Sequence, residues 1–257
     1  MAATVSRLRG LDPRAKLAVL AALAVLGIVA LLIVGPIYRG GPYGYRFPDA
    51  RTIAGIPYFW NVVSNLPFVV VGAIGLASLA RSPGPLRPAL AVLYLGIFLT
   101  GFGSAYHHLA PANERLVFDR LPMTFGFASV FAVALGDRIR ASLSTMLLGP
   151  LLFVAVATVI YWYTSGHLRP YVFVQGYPMI AIPAMLLLYR GRWLDGRHFM
   201  AAVAIYGVAK IVERFDREIY ELGHLLSGHS IKHLLAGWAT WHLVAMTRVG
   251  ARASSPD

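Results

Sequence analysis

Apolar positions in this chain come in long unbroken runs rather than at every third or fourth residue. Eight such runs can be marked off, at about 17–36, 59–80, 88–109, 118–136, 143–164, 171–189, 199–217 and 229–247. Each is close to the roughly 20 residues an α-helix needs to cross a bilayer. Gly and Pro punctuate the gaps, as in Ser82-Pro83-Gly84-Pro85, Gly136-Asp137, Gly166 to Pro170 and Gly191. Peptide groups in hydrocarbon have no water to bond, so spanning segments this long satisfy them internally as helices. The expected fold is all-α, a polytopic membrane helix bundle, with residues 1–257 forming a single integral membrane domain. The seventh run differs from the others. It carries Lys210, Glu213, Arg214, Asp216 and Arg217 along its second half, which are expected to pair with one another or to line a wet rim.

Composition agrees with that pattern. The chain is 58% hydrophobic and 13% charged, against roughly a quarter charged in soluble domains. The formal charge of +12 could suggest nucleic acid, but the basic residues sit between apolar runs, where membrane proteins use them for orientation. Nucleic acid is therefore not an expected partner. With no cysteine, neither a disulfide nor a thiolate metal site is possible, and a transition metal would have to use His with Asp, Glu or water. The basic stretch from Met1 to Lys16 followed by Leu17 to Val34 is longer than the apolar region of a secretory signal and ends at Gly35-Pro36-Ile37-Tyr38 rather than at a small-residue cleavage site. It reads as a retained helix.

Basic residues set the expected orientation. With the N-terminus in the cytoplasm, the cytoplasmic segments hold thirteen (Arg7, Arg9, Arg14, Lys16, Arg81, Arg87, Arg138, Arg140, Arg190, Arg192, Arg197, Arg248 and Arg252). The opposite loops hold seven: Arg39, Arg46, Arg51, Arg115, Arg120, Arg169 and Arg217. The excess predicts both termini inside, as in a bacterial-type inner membrane.

In this topology five polar residues from three helices reach one depth near the outer face. Ser104 and His108 end the third run, Asp119 opens the fourth, and His229 and His233 open the eighth. Ionisable groups inside a membrane are costly and usually functional. Residues at i and i+4 share a helix face, so His229 and His233 can grip one ion, as such pairs do in helical zinc sites. A catalytic zinc commonly takes three protein ligands and keeps a position for water; His108 is the third candidate. Ser104 lies one turn below His108, and Asp119 is placed to carry a proton or to support a ligand. Taken alone, an HxxxH pair is a weak signal.

The remaining polar residues are read as follows. His107 points roughly 100° away from His108, so one of the two faces the site. His242 is expected as a buried hydrogen-bonding residue, His224 as the substitute ligand, and His167 and His198 as solvated span ends. Asn61, Ser64 and Asn65 are expected to bond across helices more than to touch substrate. Met123, Phe125 and Phe127 are candidates for an acyl-chain wall, and the loop from Gly40 to Pro57 for a cap on the outer mouth.

FWNVVSN at 59–65, GFGSAYHHL at 101–109, FDRLPM at 118–123 and HSIKHLLAG at 229–237 together resemble the alkaline ceramidase family, within the CREST group of membrane hydrolases and receptors. That family has a Ser-x-x-x-His, an Asp eleven residues after the His, and a C-terminal His-x-x-x-His; Ser104, His108, Asp119, His229 and His233 follow the same order and spacing. The resemblance implies a seven-helix core over 59–247, with 17–36 as an extra N-terminal transmembrane helix. It implies zinc on His108, His229 and His233, with Ser104 and Asp119 catalytic. It also implies hydrolysis of the amide of a lipid such as ceramide to a fatty acid and a sphingoid-type amine. Calcium is not expected, because Tyr58 stands where eukaryotic relatives carry a Glu before Phe-Trp-Asn, and Asp49 is the acidic residue nearby. The chain also has Asp119-Arg120 where the family often has Asp-Glu. The alternative is a receptor-like or regulatory protein of the same fold with a structural zinc. A haem protein would leave the third histidine, Ser104 and Asp119 without a role, and a metal transporter would need a polar path through the cytoplasmic half. A membrane lipid is the expected substrate; no protein partner can be inferred.

Overall fold

A computed structural model describes residues 2–38 and 47–253. Twelve α-helices follow in order: α1 Ala2–Arg9, α2 Pro13–Val34, α3 Phe59–Val63, α4 Leu66–Ala77, α5 Arg87–Leu109, α6 Asn113–Arg138, α7 Ala141–Met146, α8 Leu148–Ser165, α9 Arg169–Leu188, α10 Gly196–Arg214, α11 Asp216–Glu221 and α12 Gly228–Ala253. No strand occurs among the described residues; the only β pairing there is the isolated bridges Tyr38 with His167 and Ile53 with Ile56. The fold is the expected all-α polytopic bundle.

The eight apolar runs all appear as helical segments, with instructive differences. Six are long and apolar enough to cross a membrane: Pro13–Val34, Phe59–Ala77, Gly84–Leu109, Asn113–Arg138, Ala141–Ser165 and Arg169–Leu188. The helices α10 and α12 are as long, but Lys210 and Glu213 on one and His229, Lys232 and His233 on the other lower their apolarity. The second run breaks between Val63 and Leu66, since Pro67 has no N–H to donate back to the Val63 carbonyl, and it sits in the first turn of α4, where that loss is tolerated. The seventh run stops at Arg214 and turns at Phe215, and the fourth starts five residues early, at Asn113.

Helix α5 packs against α4 and α6, α12 lies against α10 and α4, and α9 touches α6, α8 and α10. Small residues allow the closest approaches, as membrane helices require. A Cβ on Gly103 would lie 1.9 Å from the Phe118 carbonyl oxygen, so only glycine lets α5 reach α6 beside Ser104. A Cβ on Gly228 would lie 2.5 Å from the Val212 carbonyl oxygen, so glycine likewise seats the start of α12 against the end of α10.

Toward the opposite end the bundle is packed with apolar side chains. Leu90, Leu93, Tyr94, Val133, Met185, Phe199, Val244 and Met246 are fully or almost fully buried in one apolar cluster. Beside it the Asp137 carboxylate accepts N–H bonds from Arg192, Trp193 and Leu194 at 3.2, 2.8 and 3.2 Å. Its second oxygen pairs with Arg138 Nε at 2.8 Å, and Arg138 donates to the Leu194 carbonyl at 3.2 Å. Helix α2 stands at the periphery. It packs mainly on α9, buries only Leu20, and receives the Tyr177 hydroxyl at the Leu20 carbonyl, 3.0 Å away.

Candidate metal centre

The C-terminal end of α5 and the N-terminal turns of α12 meet at one end of the bundle. There His108, His229 and His233 bring one nitrogen each to within 4.8 Å of one another. The Nε2 atoms of His108 and His229 are 3.2 Å apart. Two nitrogens each about 2.05 Å from a tetrahedral ion are roughly 3.3 Å apart, so this pair fits a metal. The rest of the set fits too: His233 Nδ1 is 2.9 Å from the Ser64 hydroxyl, which leaves Nε2 for the cluster, and the set is all imidazole, the donor suited to zinc, copper, iron or nickel.

The supports of this centre explain the polar residues around it. Ser64, buried, hydrogen-bonds His233 and donates to the Asn61 carbonyl at 3.4 Å. Ser230 donates to Asn61 Oδ1 at 2.7 Å, and Asn65 donates to the Asn61 carbonyl at 2.7 Å. Metal-ligating histidines ordinarily have their other nitrogen fixed in this way. The Asp216 carboxylate accepts the His229 N–H at 2.7 Å, capping α12. Burial pushes the Asp216 carboxyl up, against the opposing pull of the His229 N–H and the Ser227 hydroxyl. Asp49 grips Arg51 through two 2.8 Å contacts and raises its pKa, and Arg51 also donates to the Leu225 carbonyl at 2.7 Å. This ties the loop before α3 to the loop before α12, and Phe47 lies over the centre with its ring 4.7 Å from those of both His108 and His229.

Below the histidines a cavity of about 580 Å³ runs into the bundle. Its deep wall is apolar, including Leu93, Met123, Phe127, Val130, Phe199 and Leu243; its mouth carries Ser104, Asp119, Arg120, Lys210, Glu213 and Lys232. Ser104 on α5 faces the Asp119 carboxyl on α6, across the close approach that Gly103 permits. Arg120 stacks on Trp162, its guanidinium carbon 3.7 Å from the ring centre.

All five residues expected at one depth line this cavity together. Met123 and Phe127 line it as well, whereas Phe125, Asn61, Ser64 and Asn65 are not among its lining; Asn61 and Ser64 bond across to α12, while Asn65 donates back to the Asn61 and Val62 carbonyls of its own segment. His107 is buried and also faces the cavity, so both members of the His107-His108 pair reach it, though only His108 joins the cluster. His224 is exposed, set edge-on to Tyr220, and stands outside the clustered three. His198 is not simply solvated: it is half-buried and its Nδ1 lies 2.9 Å from that of His242, tying α10 to α12. Of the loop expected to cap the mouth, residues 40–46 lie outside the described residues, as does Arg39; of residues 47–57, Phe47 lies against the histidines and lines the cavity. Sequence reasoning gave Lys232 no role, although an ammonium between two histidines in an apolar run is a signal of its own. Glu213, expected in a pair or on a wet rim, does both: it binds Lys210 and Lys232 and lines the mouth.

These features define a polytopic helical membrane protein with a three-histidine centre at the mouth of an apolar cavity. A model of the ceramidase family matches residues 52–213, more than half of the chain, and the chain belongs to that family. The match includes Ser104, His108 and Asp119 and ends at Glu213, ahead of His229 and His233. No curated protein matches the chain.

Proposed function

We propose that the protein is a zinc-dependent lipid amidase that cleaves the amide of an N-acyl lipid such as ceramide, releasing a fatty acid and a sphingoid-type amine. The observation that carries this reading is the meeting of three imidazoles with Ser104 and Asp119 at the top of an apolar cavity. Membership of the ceramidase family supports it. The acyl chain lies in the cavity along Met123 and Phe127, which brings its carbonyl up to the polar mouth.

His108, His229 and His233 hold the ion. Zinc supplies Lewis acidity, which makes water a competent nucleophile near neutral pH. The Ser104 hydroxyl donates to the carbonyl oxygen as negative charge develops on it. Water adds to the acyl carbon, Asp119 takes a proton from that water, and the C–N bond breaks as Asp119 delivers the proton to the amine nitrogen. The products balance as one carboxylic acid and one amine. The excess of basic residues on one set of loops supports a site near the outer face with both termini in the cytoplasm, and the chain acts as one integral membrane domain.

The test is metal content and fatty-acid release from ceramide by the purified protein, compared with His229→Ala. Loss of both in a folded variant is expected. Undiminished release from folded His229→Ala protein overturns the reading, and bound metal without turnover on any N-acyl lipid makes the protein a receptor-like relative.

A further inference from the structure

Lys232 is the one charged residue between the two histidines of α12, and its side chain is only 18% exposed. It lines the cavity mouth, with Nζ 3.1 Å from Glu213 Oε1 and 3.2 Å from His229 Nε2. The other oxygen of the same carboxylate, Oε2, holds Lys210 at the more exposed rim. One carboxylate therefore fixes two ammoniums side by side.

The other charged groups at the mouth each have a further attachment of their own. Asp119 on α6 faces Ser104 on α5, Asp216 caps α12 through the His229 N–H, both carboxylates also attract the Lys232 ammonium, and Arg120 is stacked on Trp162. A partly buried ammonium in a membrane protein is costly unless something uses it. Two lysines held by a single carboxylate suit an anion, which takes up charge and hydrogen bonds from both.

Direction along the cavity follows from its lining. An acyl chain in the apolar depth brings the amide to the histidines and leaves the amine side of the substrate at the rim. We propose that this amine side carries an acidic group, a carboxylate or a phosphate, that docks on Lys232 and Lys210. The proposal rests on the lipid-amidase reading and narrows its substrate class: a neutral diol head offers these lysines no charge.

The experiment compares three palmitoyl amides on the metal-loaded protein: palmitoyl glycine, with a carboxylate; phosphorylated ceramide; and ceramide itself. The better acidic substrate is expected to exceed ceramide in kcat/KM, and to identify which anion fits. Lys232→Met and Lys210→Met are expected to lower that acidic-to-neutral ratio about tenfold each, chiefly through KM. A binding arm needs no turnover: hexadecyl phosphate should raise the Tm of the wild-type protein more than hexadecanol does, and Lys232→Met should erase the difference. Preference of the wild-type protein for ceramide, or an unchanged ratio in both variants, overturns the proposal while the amidase reading stands. If no amide is cleaved, the amidase reading falls and this proposal falls with it.

Discussion

The two ends of the bundle both bury charged and polar side chains, and they use them in opposite ways. At the packed end, Asp137 gives one oxygen to three backbone N–H groups and the other to Arg138, which in turn binds a backbone carbonyl. One acceptor oxygen is filled by backbone N–H groups and the other is matched by the neighbouring guanidinium, and neither residue lines the cavity. At the open end, ring nitrogens of three histidines face one another, and the outward bonds of the network, such as Ser64 to His233, serve to aim them. Buried polarity is thus not by itself a sign of function in a membrane bundle. What separates the two ends is whether the donors and acceptors are used up by backbone or converge on a shared point beside a cavity.

That contrast can be broken or sharpened experimentally. The largest effect belongs to the histidines: His108→Ala, or a chelator on the wild-type protein, should remove bound metal and reduce amide hydrolysis to background with circular dichroism unchanged. At the packed end, Asp137→Ala strands Arg138 and should cost about 3–5 kcal/mol, measured by unfolding in detergent, while the folded fraction keeps its metal stoichiometry. Gly103→Ala forces α5 from α6 and should cost about 1–3 kcal/mol, with turnover falling more than metal content because Ser104 and Asp119 separate. Ser64→Ala should weaken metal binding roughly 10–100-fold in a chelator competition, with Ser64→Thr restoring part of it; equal affinity in both variants would show that Ser64 only packs. The smallest effect is expected of Arg51→Ala. Its pair with Asp49 is partly exposed and worth up to about 1 kcal/mol, so Tm should barely move while proteolysis of the loop before α3 speeds up.

The helices themselves were readable because hydrocarbon leaves a spanning chain little choice, so run length alone marks them. Position along the membrane was readable for Ser104, His108, Asp119, His229 and His233, since each sits at a run end and alternation of direction fixes which ends meet. Helix breaks were harder. Proline interrupts the second run near Pro67, yet Pro122 stays inside α6 and Pro178 and Pro183 inside α9, because neighbouring helices can absorb the lost bond. Contacts across helices were harder still. The Ser64–His233 and His198–His242 bonds depend on rotation about each helix axis, which an all-round apolar run does not encode. For the same reason one of His107 and His108 is expected to face away from a cavity that both in fact line.

The packed end of the bundle has a consequence for permeability. A polar mouth with titratable groups is one half of a path for protons, and in an energised membrane each elementary charge crossing 100 mV dissipates about 2.3 kcal/mol. Here the core beyond the cavity lining is apolar, with Leu90, Tyr94, Val133, Met185 and Val244 fully or nearly fully buried. Such apolar packing opposes the passage of water and ions through the bundle.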